Sequence, residues 1–157
     1  DTHGEEWRFI HKSEPCFKHL HKGDYLFICG DFGYVFSGSD KEQKFMEYVA
    51  DKLPFTICFC DGNHENFDLL NSYDVSVWNG GKVYIIKQNK AGEPKVIHLM
   101  RGKVYEMPLN GFLEYIREKA KYKHWFMGHL HRDEDVWRHQ TILWFYLRNM
   151  EDNTEPM

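Results

Sequence analysis

At 157 residues the chain has the size of one domain. Hydrophobic residues make up 42% and aromatics 17%, enough for a packed core, and 28% charged residues exclude a disordered or low-complexity chain. Twenty lysines and arginines against 24 acidic residues leave a net charge of −4, which argues against wholesale phosphate-backbone binding but leaves a local basic patch open. The apolar runs fall far short of the roughly 20 residues of a membrane-spanning helix. The opening residues do not read as a charged-then-apolar signal segment.

Lys22-Gly23 lead into an apolar run over residues 24–30 (DYLFICG), which predicts a buried strand. Over residues 40–53, Phe45, Met46, Val49 and Leu53 recur at helical spacing, and Pro54 stops the helix. Residues 55–60 form a second buried strand that ends in Asp61-Gly62. A short helix is expected over 65–70 and a turn at Gly80-Gly81. Strands are expected over 83–87 and 96–100, on either side of the 89–94 loop. After Arg101-Gly102 a further strand spans 103–107. Asn110 caps a helix reaching about residue 121, with Leu113, Ile116 and Ala120 on one face. Strands over 122–127 and 141–147 follow. Residues 1–150 therefore read as one layered α/β or α+β domain with no repeat or linker, and 151–157 as a polar tail. In open α/β sheets, ligand sites gather beyond the carboxyl ends of the strands.

Cys16, Cys29, Cys58 and Cys60 contain no C-x-x-C pair. They read as small buried hydrophobes in a reducing, cytoplasmic setting. The ten histidines are the unusual feature. The sequence opens on Asp1 rather than Met, which reads as processing, trimming or a fragment. His19 and His21 suit a solvated loop, and the tryptophans suit core or sheet-face positions. Trp78, before Asn79-Gly80-Gly81, could also stack a base at a rim. Lys41, Lys44 and Lys52 alternate with acids as on the solvent face of a helix.

Three predicted strands end in polar clusters introduced by glycine: Gly30-Asp31, Gly62-Asn63-His64-Glu65 and Gly128-His129-Leu130-His131. Asp1-Thr2-His3-Gly4 stands at the start. Each alone has an ordinary explanation, whether surface polarity, a strand-ending turn, an Asn N-cap or a loop. Their order and shared position at strand ends carry the information. Carboxylate, imidazole and amide donors converging on one sheet edge suit divalent cations such as Mn²⁺, Fe²⁺, Zn²⁺ or Mg²⁺.

D-x-H, G-D, G-N-H-E and G-H-x-H in this order resemble the signature of the calcineurin-like metallophosphoesterase superfamily, over residues 1 to about 147. The resemblance implies a two-sheet β-sandwich flanked by helices, here with its first strand missing, and a dinuclear centre at the strand ends. In its terms Asp1, His3 and His131 bind one metal, Asp31 bridges, and Asn63 and His129 bind the second. His64 steadies the phosphate or protonates the leaving oxygen, with Asn63 beside it on the substrate. The implied activity is hydrolysis of a phosphomonoester or phosphodiester by a hydroxide activated between two divalent cations.

Departures from that signature matter. The family carries another second-metal histidine between G-N-H-E and G-H-x-H, whereas residues 65–128 hold only His98 and His124. His98, inside Val-Ile-His-Leu-Met, reads as a core or edge-strand residue, and His124 lies within a strand. The connection is shorter than the family's, nothing precedes Asp1 where the family has a strand, and the Asp1 α-ammonium would repel cations. These losses point to an alternative: a truncated or degenerate member that binds at most one metal and acts as a non-catalytic module. Asp31 is followed by Phe32-Gly33-Tyr34, without the second Asp and the Arg of G-D-x-x-D-R-G. That argues against a protein Ser/Thr phosphatase and looks more like the small prokaryotic or phage members. The expected partner is a phosphate ester, with nucleic acid only as substrate and no membrane, and open strand edges favour self-association.

Overall fold

The computed structural model describes residues 1–10, 15–100, 109–137, 139–144 and 147–151. Strands β1 (Tyr25–Ile28), β2 (Thr56–Phe59), β3 (Val75–Trp78), β4 (Gly81–Gln88) and β5 (Pro94–Leu99) form a five-stranded sheet in the order β1-β2-β5-β4-β3. A second, three-stranded sheet has the order β6-β8-β7, from β6 (Trp125–Met127), β7 (Glu134–Trp137) and β8 (Gln140–Ile142). Helices α1 (Asp40–Lys52), α2 (Phe67–Leu70) and α3 (Leu109–Lys119) accompany them, with 3₁₀ turns at Glu6–Phe9 and Pro15–His19. This is the mixed α/β, two-sheet architecture that the motifs implied.

The site is positioned by three parallel strands. β1 pairs with β2 through Ile28 and Phe59, and β2 with β5 through Phe59 and His98. Their carboxyl ends therefore share one edge, and the segments after β1 and β2 leave from it. A central parallel strand must be apolar on both faces. β2 meets this with Ile57, Cys58 and Phe59, each fully buried. Helix α1 begins at Ser39, whose side chain accepts a bond from the Glu42 N–H, and its Phe45, Met46 and Val49 enter the core. The Tyr34 ring stacks on Phe45 at 3.7 Å, and Phe9 and Phe32 pack beside them.

Two strands were not expected. In β3 the valines 75 and 77 are exposed while Ser76 and Trp78 are half-buried, so hydrophobicity does not mark the inward face. β7 is acidic at Glu134 and Asp135 and pairs on one side, with β8. The β3–β4 turn also sits one residue earlier than predicted: Trp78 pairs with Gly81, and Asn79 and Gly80 have φ of 47° and 79°. Two positive-φ residues suit a two-residue hairpin between twisted strands. β8 ends at Ile142, short of the expected 147, and residues 145–146 lie outside the described ones, as does the strand expected over 103–107. Cys58 is buried as expected, but Cys60 is exposed beyond the end of β2. Trp78 packs beside Cys58, Val83 and Ile97 and against Tyr25. No described helix is long and apolar enough to cross a membrane.

Candidate metal centre

Asp31 stands three residues past the end of β1 and is 2% exposed. Its backbone carbonyl accepts N–H bonds from Thr2 and His3 at 2.9 and 2.8 Å, which lays the N-terminal segment across the end of β1. Gly4 N–H and the Thr2 hydroxyl both donate to the Phe32 carbonyl and extend the attachment. One Asp31 carboxylate oxygen accepts the His64 N–H at 2.8 Å, tying in the segment after β2. The segment after β6 is tied to Asp1, whose Oδ2 accepts the His129 N–H at 2.6 Å. Stretches more than a hundred residues apart in sequence thus meet through backbone bonds to two carboxylates.

The side chains that converge are Asp1, His3, Asp31 and His131, with donor atoms all within 4.8 Å of one another. His3 Nε2 lies 2.9 Å from His131 Nε2 and 3.8 Å from Asp31, and His131 Nε2 lies 3.6 Å from Asp1. Two imidazole nitrogens on one tetrahedral zinc, at roughly 2.1 Å each, stand about 3.4 Å apart. These two rings are therefore already close to a shared-ligand geometry. Burial lowers the pKa of His3, and the neighbouring His131 and His64 lower it further while Asp31 opposes them. A neutral imidazole is the form that ligates a metal. Asp1 Oδ1 is buried with no hydrogen-bond partner among the described residues. A buried carboxylate oxygen left open beside two imidazoles fits a cation.

His64 is exposed, its ring 5.1 Å from that of His3, and Asn63 is exposed beside it. The His129 ring is exposed and is not part of the group of four. His98 and His124 do not join the group either. His98, in the central strand β5, turns its Nε2 to Asp61 at 3.2 Å. His124 faces Thr141 Oγ1 at 2.8 Å. His21 is exposed, and its backbone N–H bonds Asp24 within a surface turn.

Three supporting residues were not singled out from sequence. Glu65 is buried and accepts N–H bonds from Gly33 at 3.1 Å and Gly62 at 2.7 Å, which staples the post-β1 and post-β2 segments together. Burial raises its pKa, against those two bonds. Trp144 stacks on the His131 ring at 4.6 Å. Asp61 is the partner of His98. The fourth letter of G-N-H-E was a signal for Glu65; nothing in the sequence links Asp61 to His98 or Trp144 to His131.

A family model described as calcineurin-like phosphoesterase matches residues 1–133. The chain belongs to this family of phosphoesterases, whose members bind divalent metals. No curated protein and no solved structure matches it.

Proposed function

We propose that the chain hydrolyses a phosphomonoester or phosphodiester, using divalent cations held by Asp1, His3, Asp31 and His131, with Asn63 and His129 completing the donor set. The observation that carries this reading is the convergence of two carboxylates and two imidazoles within 4.8 Å. Cations bound there would lower the pKa of water and screen phosphoryl oxygens. Asp31, anchored on the His64 N–H, would be the carboxylate shared by the cations. Asn63 orients the phosphate, and His64 steadies it and hands a proton to the leaving oxygen. Exposure of both side chains, with the His64 ring beside His3 of the cluster, supports these roles. The free cysteines support a reducing, cytoplasmic setting. Manganese is the first metal to try.

Protein purified with Mn²⁺ is expected to hydrolyse p-nitrophenyl phosphate or bis-p-nitrophenyl phosphate. Asp31→Ala is expected to abolish it; activity that survives this substitution overturns the reading. Nucleic acid enters only as a substrate, and cleavage of DNA that falls with salt while small esters are still cut would identify it as one.

One observation favours a second reading. The two histidines between Glu65 and Gly128 are both engaged by protein partners, so a second cation has fewer donors. In that reading the chain binds at most one metal and acts as a non-catalytic module. Metal analysis separates the two: two ions per chain supports the enzyme, and one or none supports the module.

A further inference from the structure

His98 sits in β5 opposite Phe59 of β2, at the third pair of their parallel register. Its ring lies 5.0 Å from that of Phe59 and stacks on Tyr84 at 5.7 Å and 15°. Nε2 is 3.2 Å from Asp61 Oδ1, and both side chains are 6% exposed. The other ring nitrogen, Nδ1, is buried with no hydrogen-bond partner among the described residues. Leaving a polar atom in that state is costly, and packing between two aromatic rings would be served as well by phenylalanine. The imidazole is explained by its Nε2–H, which donates to Asp61 and fixes the tautomer.

Asp61 opens the segment that carries Gly62, Asn63, His64 and Glu65. This segment lies tight against Asp31, because a Cβ on Gly62 would overlap Asp31 Oδ1. Its far end is held by Glu65 on the Gly33 and Gly62 amides. Its near end is held by His98.

We infer that His98 is a positioning residue: through Asp61 it fixes residues 61–65 against the sheet, and with them Asn63 and His64 relative to Asp31. The functional consequence rests on the phosphoesterase reading; the structural role does not. His98 donates to a carboxylate and is not itself offered to a cation.

The test is a mutant cycle in the whole chain: Asp61→Asn, Asp61→Ala, His98→Phe and the double variant Asp61→Ala/His98→Phe. Two properties are measured, Mn²⁺ affinity by calorimetry and amide exchange at Gly62 and His64 by NMR without metal. Asp61→Ala and His98→Phe are each expected to weaken Mn²⁺ binding roughly tenfold, the usual size for a residue that orients ligands. Both should also speed exchange at the two amides. Asp61→Asn keeps the acceptor oxygen and should restore both properties, and the double variant should be no worse than either single one. Three results overturn the inference: Asn as damaging as Ala, single effects that add in the double variant, or exchange unchanged in Asp61→Ala and His98→Phe. Should His98→Phe fail to fold, the Asn and Ala variants at position 61 decide, since the ring stays in place. A wild-type chain that binds no Mn²⁺ would sink the phosphoesterase reading, while the exchange data would still decide the role of His98.

Discussion

A Cβ on Gly128 would stand 2.3 Å from Asp1 Oδ1, just as one on Gly62 would press on Asp31. At these two positions the missing side chain is the space that a carboxylate occupies. Gly62→Ala and Gly128→Ala are therefore expected to weaken Mn²⁺ binding at least about tenfold, although neither removes a donor. Gly111 in α3 is the control, because nothing among the described residues lies within 4 Å of its Cβ position. Gly111→Ala should leave calorimetric Mn²⁺ binding unchanged and stabilise the helix by roughly 0.5–1 kcal/mol in denaturant titrations. Strain gathers at the same place: His3, Asp31, His129 and His131 all have positive φ, from 43° to 73°. Non-glycine residues persist in that region only when their surroundings over-determine them, and such strain clusters at functional sites. His64 tests a different property. His64→Ala is expected to slow ester hydrolysis by about 10²–10⁴-fold while the bound-metal count stays as in wild type. An equal loss of metal would reassign His64 from acid to ligand support.

Among the elements, α1 carries the clearest electrostatic device. The buried Glu42 carboxylate accepts N–H bonds from Phe36, Ser37 and Gly38 and an O–H bond from Ser37. Burial disfavours its charge, but these bonds outweigh it and hold the carboxyl below its ordinary value of 4.5. The sign of the pH effect follows. A carboxyl whose folded pKa is depressed contributes stability that is present above 4.5 and lost as pH falls through the folded value. Glu42→Gln should remove that contribution, so the stabilities of variant and wild type converge as pH drops below about 4.5. At neutral pH the variant should be about 1.5–3 kcal/mol less stable, the range for hydrogen bonds to a charged group. Chemical denaturation at several pH values measures this; a gap independent of pH would assign the role to packing instead.

At the scale of the molecule, a half-open cavity of about 910 Å³ is bordered by Leu26 and Ile28 of β1, Phe126 of β6, Ile116 of α3 and Leu147. β1 ends one sheet and β6 ends the other, and among the described residues each pairs with a single neighbour. Both strands border the cavity. Unpaired strand edges beside apolar surface are templates for another chain. We expect association that grows with protein concentration in sedimentation velocity. A sharp monomer at every concentration would remove this expectation.

Much could be read directly from the letters. Apolar runs such as Tyr25–Ile28 and Thr56–Phe59 must be strands, and the polar clusters just past them must lie at a sheet edge, because buried backbone has to pair and the chain has to turn where the apolar side chains stop. The order of those clusters was enough to name the family. β3 escaped because its valines form the exposed face rather than the buried one, and β7 because it opens on Glu134 and Asp135. The ten histidines look alike in sequence. Which of them converge depends on strand register and on bonds between distant backbones: His3 meets His131 across Asp31 and Asp1, whereas His98 turns to Asp61 because β5 lies beside β2. Donor chemistry is a property of each residue, but a binding site is a set of distances, and those arise when the sheets assemble.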